Sequence, residues 1–149
     1  MRIYLDVCCL NLNRPFDDQA QNRIHLETEA ILSIINHSRS IGYSIISSDI
    51  IDFEIAKNPD QDKRLMVQIL STMHDARIKA DSGIEQRALD LKKAGLRPLD
   101  ALHVACAEKA KADILLTTDD ALLNKYRKSR QLFKIRIENP LLWVTEVLK

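Results

Sequence analysis

Three glycines and four prolines in 149 residues leave few places for tight turns. That scarcity argues against an all-β sandwich or barrel, which needs a turn signal every ten or so residues. Aromatics make up 5% of the chain, and the pair Tyr126 and Phe133 is too sparse to form a base-stacking platform along a basic stretch. The three cysteines are odd in number and Cys8 and Cys9 are adjacent, so with Cys106 they do not make a disulfide framework. No Cys/His spacing matches a zinc site, and buried free thiols in a reducing compartment are the expectation. No apolar run is long enough to span a membrane, and Asp6 follows the first residue too soon for a signal peptide. A cytoplasmic protein is expected. The net charge of +1 leaves any attraction for phosphate to a local patch.

The remaining 46% hydrophobic and 29% charged residues suit a globular domain with a substantial core, one unit over residues 1–149. Ile3-Tyr4-Leu5 is a short apolar run, as a strand buried on both faces would be, and it stops at Asp6. Val7 to Leu12 is apolar but brief, and Asn13 to Gln19 has loop composition. From Arg23 to Arg39 the apolar stripe is helical, with Gly42 closing the segment. Tyr43 to Ser47 is a second strand. Ser48 or Asp49 caps a helix over Ile50 to Lys57 that Asn58-Pro59 ends, and Glu54 sits there among apolar neighbours.

A further helix is expected from Asp60 to about His74, then a weak edge strand at Arg77 to Ala80. Asp81 or Ser82 caps a helix through Ala94 that carries Ile84, Ala88, Leu89 and Leu91, with Gly95 as its C-terminal cap. Pro98 opens the next helix at a position where its missing N–H costs nothing, and Leu99, Leu102, Ala105 and Cys106 recur at helical spacing. Asp113 to Asp120 is a buried strand ending in acid, and Pro140 to Thr145 is a last packed element. Strands alternating with helices predict a three-layer α/β/α fold with a mostly parallel central sheet. Ligands of such sheets bind beyond the carboxyl ends of the strands.

Four acids stand out by position: Asp6 after the first strand, Glu54 within a helix, Asp100 in a helix's first turn, and Asp119 after a later strand. Each has an ordinary explanation alone. Asp100 favours a helix dipole, Asp119 can cap the next helix, and Glu54 can be a partly exposed helical residue. Ile3-Tyr4-Leu5-Asp6, Ser48 to Ile55, Gly95 to Ala107 and Leu115 to Asp119 together resemble the PIN-domain family of metal-dependent ribonucleases, which includes the VapC-like toxins of bacterial toxin–antitoxin pairs. The pieces come in the family's order across nearly the whole chain. The Asp100 segment and Thr117-Thr118-Asp119 are the specific ones. This chain carries Val7 and Cys8 where many relatives have Ser or Thr and often Asn, and the Arg14-Pro15-Phe16-Asp17-Asp18 stretch is outside the common toxin pattern.

The resemblance implies Asp6, Glu54, Asp100 and Asp119 as an acidic cluster. Two carboxylates about 4 Å apart repel by roughly 4 kcal/mol at an effective dielectric of about 20, so four converging acids require a cation or protons. All-oxygen ligands suit Mg²⁺ or Mn²⁺. Asp6 and Asp100 are then the principal metal ligands, directly or through water, Asp119 completes the site, and Glu54 positions water or serves as base. The implied function is endonucleolytic hydrolysis of RNA, with an antitoxin and a second copy of the chain as expected partners. A PIN-fold module that binds RNA or protein with little or no cleavage is the alternative. A phosphotransfer receiver domain would want paired acids near the first strand and a late strand-end Lys, and neither is evident.

His103, one turn beyond Asp100, is expected to be structural in preference to a substrate contact. His25, His37 and His74 have no partner at metal-ligand spacing. Asp120 reads as a helix cap or solvated neighbour of Asp119, and Asp17 and Asp18 as part of a solvated loop. From Ala121 to Ile137 the chain is basic without an acid, and Lys125, Arg127 and Lys128 are candidates to guide an RNA backbone. A solvated helix face is the ordinary reading of the same residues.

Overall fold

The computed structural model describes residues 1–6, 18–38, 40–57, 59, 61, 64 and 74–147. The apolar segment at 7–12, Cys8 and Cys9, the stretch 13–17 and most of the helix expected over 60–74 lie outside the described residues. Five strands form one sheet: β1 (Arg2–Leu5), β2 (Ser44–Ser48), β3 (Ala76–Ile78), β4 (Ile114–Leu116) and β5 (Arg136–Glu138). Their order is β3-β2-β1-β4-β5 and every pairing is parallel. Among the described residues six α-helices connect them: α1 (Asp18–Ser38), α2 (Asp49–Ala56), α3 (Ser82–Lys93), α4 (Pro98–Lys109), α5 (Asp120–Lys128) and α6 (Pro140–Val147). No helix among them is long and apolar enough to cross a membrane.

The central strand explains the layering. Ile3, Tyr4 and Leu5 are all buried, and since neighbouring side chains point to opposite faces, both faces of β1 must be covered. Tyr4 stands in register with Ile46 on one side and Leu115 on the other, and its hydroxyl meets His103 of α4. Helices α2 and α3 pack against α4, and α1 packs with α6. Trp143 of α6 is buried, its ring 5.9 Å from that of Tyr43.

Local chemistry sets the boundaries. Ser48 caps α2 by accepting from Ile51 N–H at 3.3 Å, and Asp81 caps α3 by accepting from Ile84 N–H at 2.8 Å. Pro98 opens α4. Gly95 ends the corner between α3 and α4 with φ +113°, a conformation that L side chains rarely adopt.

Several sequence expectations are corrected. Helix α1 starts at Asp18 instead of Arg23, because a polar first turn shows no apolar stripe. Leu89 is 50% exposed, since Ile84, Ala88 and Leu91 make the buried stripe of α3. In α4 the inward face is Ala101, Val104, Ala105, Cys106 and Ala107, while Leu99 and Leu102 are only half-buried. Small side chains there let the helix approach the sheet closely. Strand β5 was not expected: only Ile137 of its three residues is fully buried, and its basic surroundings hide the signal.

Candidate active site

In the strand order β3-β2-β1-β4-β5, successive connections run outward from β1 in one direction and from β4 in the other. The crevice at the carboxyl ends of β1 and β4 is therefore a topological switch point, where α/β sheets hold ligands. Asp6 follows β1 directly, and its N–H donates to Leu116 O at 3.0 Å, extending the ladder and fixing the residue. Asp119 lies three residues past β4 and caps α5, with Oδ1 accepting from Ala121 N–H at 2.9 Å. Asp100 sits in the first turn of α4, and Glu54 projects from α2. All four acids line one pocket of about 460 Å³, together with Arg97, Pro98 and Leu99.

Asp6 is nearly buried. The Thr117 hydroxyl donates to its Oδ2 at 2.9 Å and accepts from Asp119 N–H at 3.1 Å. One side chain thus ties the two strand-end acids together, and it comes from the Thr-Thr-Asp segment. On the other side of Asp6 stands His103, 1% exposed, with Nε2 3.6 Å from Asp6 Oδ1 and in hydrogen-bond contact with Glu54 Oε1. Its Nδ1 lies 2.7 Å from the Tyr4 hydroxyl, which lies 2.7 Å from Ser48 Oγ. A buried chain of polar groups therefore runs from the α2 cap to the pocket. Asp6, Glu54 and His103 offer donor atoms all within 4.8 Å of one another, a grouping that could hold a metal ion. Helical periodicity alone does not show this, because it places His103 simply on a packed face.

Electrostatics follow from burial and neighbours. Burial pushes the Asp100 carboxyl up from its ordinary value, with Asp119 and Asp6 adding to the rise, and the opposing hydrogen bond and charge of Arg97 do not cancel it. Burial is the largest single influence on His103 and pulls it down, but Asp6, Glu54 and Asp100 together outweigh it and leave the imidazole raised. Arg97, absent from the sequence-based candidates, donates from Nε to Asp100 Oδ2 at 2.8 Å and from Nη2 to Asp119 Oδ2. Its signal in the sequence was its place just before Pro98.

The basic candidates do not share one face. Lys125 is half-buried, its ammonium packed over Gly95. Arg127 lies 3.8 Å from Glu138, and Lys128 is exposed. Asp120 is exposed and paired with Arg23 at 2.7 Å.

An acid-lined pocket at the switch point of a parallel sheet defines an α/β protein able to hold a cation at its strand ends. The PIN-domain family model matches residues 3–128, and the chain belongs to that family, whose members are generally nucleases. Solved structures of similar fold include VapBC2 from Rickettsia felis bound to a DNA fragment from their promoter, 13% identical, covering 93% of this chain and 98% of that one at TM-score 0.54. FitAcB from Neisseria gonorrhoeae is 14% identical, with coverage of 93% and 97% and TM-score 0.54. VapBC-1 from nontypeable Haemophilus influenzae is 15% identical, with coverage of 94% and 98% and TM-score 0.55. The likeness at these identities is one of fold. Comparison with curated proteins gives no match.

Proposed function

We propose that the protein is a Mg²⁺- or Mn²⁺-dependent endoribonuclease, acting as the toxin of a toxin–antitoxin pair in the cytoplasm. The observation that carries this reading is the convergence of Asp6, Glu54, Asp100 and Asp119, from four separate segments, on one pocket. Carboxylate oxygens dominate the donor set, and His103 Nε2 is already engaged by Glu54, so a hard oxygen-seeking ion fits better than zinc. Asp6, Asp100 and Asp119 are the proposed ligands, directly or through water. A bound ion of this kind would make water more acidic and offset charge on the phosphodiester.

The protein's own groups do the rest. His103, anchored by Tyr4 and Ser48, holds Glu54 in place to take a proton from the attacking water. Thr117 fixes the spacing of Asp6 and Asp119. Lys125, Arg127 and Lys128 are proposed to attract the RNA backbone. An antitoxin and a second copy of the chain are the proposed protein partners, and the shared fold with VapBC structures supports the first.

The test is cleavage of a mixed-sequence RNA by purified wild type and Asp6→Asn. Wild type should cleave internally with Mn²⁺ and stop in chelator, and the variant should lose the activity by orders of magnitude. Wild-type protein that leaves RNA intact with either ion, or a folded variant that cleaves at the wild-type rate, would contradict the reading.

A further inference from the structure

The pocket's acids fall into two unlike halves. On one side Asp6 and Glu54 meet His103, with donor atoms within 4.8 Å of one another and no lysine or arginine among the described residues paired to either acid. On the other side Asp100 and Asp119 already share a cation. Arg97 occupies the N-cap position of α4 but makes no capping bond with its side chain. The guanidinium instead spans Asp100 Oδ2 and Asp119 Oδ2. Asp119 Oδ1 is taken by the N–H of Ala121, so both of its oxygens are engaged. A planar, permanently charged fork bonded to two carboxylates stands where a second divalent ion would have to bridge them.

We propose that the pocket takes a single divalent ion, on the Asp6 and Glu54 side, and that Arg97 is the second cation of the site and a catalytic residue. The proposal rests on the nuclease reading and changes one role in it: Asp119 holds Arg97 in place of ligating the ion, and Asp100 is held by the same guanidinium. Arg97 is 58% exposed at its side chain, so it can meet a phosphate without leaving the pocket rim. In the hydrolysis, the water oxygen bonds to phosphorus and its proton passes to Glu54. The bond to the leaving sugar oxygen breaks, and that oxygen takes a proton from solvent. Arg97 donates N–H bonds to the phosphate oxygens on which charge gathers.

Calorimetric titration with Mn²⁺, read together with the Mn²⁺ electron paramagnetic resonance spectrum, tests this. Wild type should bind one ion per chain with a mononuclear spectrum. Arg97→Gln should gain a second ion with a coupled spectrum, because Asp100 and Asp119 then face each other without a cation, and RNA cleavage should fall by on the order of a hundredfold. Arg97→Lys keeps a positive charge and should keep the one-ion stoichiometry. Two coupled ions in wild type would overturn the proposal while leaving the nuclease reading intact, even if no variant folded. So would an Arg97→Gln protein that binds one ion and cleaves at the wild-type rate. Wild-type protein that binds no Mn²⁺ would overturn both.

Discussion

Asp100 shows how burial and neighbouring charge act on one carboxylate. Its side chain is 13% exposed and faces Asp119 and Asp6 across the pocket, so burial and like charge both favour its protonated form over the ionised one. The folded protein therefore holds the Asp100 proton more tightly than the unfolded chain does. The stability this contributes is fully present below the ordinary aspartate value and is lost as pH rises through the raised folded value. At neutral pH, without metal, ionised Asp100 is a net cost to the fold. Asp100→Asn removes that cost, so in chelator it should melt no lower than wild type, with the difference between them widening in its favour as pH rises above the ordinary aspartate value through the raised folded one. Addition of Mn²⁺ should raise the wild-type melting temperature more than the mutant's, because in the proposed site the ion binds the native state and the mutant lacks a ligand charge. Thermal melts across pH, with and without Mn²⁺, make the comparison. A mutant less stable than wild type in chelator and equally responsive to Mn²⁺ would return Asp100 to a helix-dipole role.

At the scale of elements, legibility followed the local signals. The residue types narrow each cap to two neighbours, Ser48 or Asp49 and Asp81 or Ser82, of which the structure uses Ser48 and Asp81, and they mark the helix entry at Pro98. Asp6 and Asp119 are legible at strand ends, Asp100 in a helix's first turn and Glu54 within a helix, from the apolar patterns around them. The positions of Arg97 and Thr117 are marked by Pro98 and the Thr-Thr-Asp segment, but their roles are not legible, since these depend on partners at a distance: Arg97 reaches Asp119, and Thr117 reaches Asp6. His103 was visible only as a residue of a packed helix, because its contacts with Tyr4 and Glu54 arise from strand and helix packing. Strand β5 is not legible in the sequence, because three residues with one buried side chain leave no alternating pattern.

Helix α5 carries the prediction that belongs at this scale. Lys125 packs against the α3–α4 corner at Gly95, Arg127 leans toward Glu138 and Lys128 is exposed. Changing all three to Ala should weaken RNA binding and flatten its dependence on salt concentration, since fewer counterions are released. The response of the melting temperature to Mn²⁺ should be unchanged. Filter-binding or anisotropy titrations at several salt concentrations measure it, and an unaltered affinity and slope would assign these residues to a solvated helix face.

The whole molecule turns on the reversal in strand order between β1 and β4. A parallel sheet covered on both faces opens its strand ends at one place, and there the chain brings acids from residues 6, 54, 100 and 119 to a single pocket. Gathering that much negative charge is costly in the empty fold, and on the proposed reading a divalent ion relieves it. The most direct test is a crystal of the wild-type protein soaked in millimolar Mn²⁺, with anomalous diffraction collected at the manganese edge. One peak is expected in the pocket, about 2.1 Å from a carboxylate oxygen of Asp6. A well-occupied manganese peak elsewhere with none at Asp6, or no peak at all, would contradict the assignment of this pocket as the protein's metal centre.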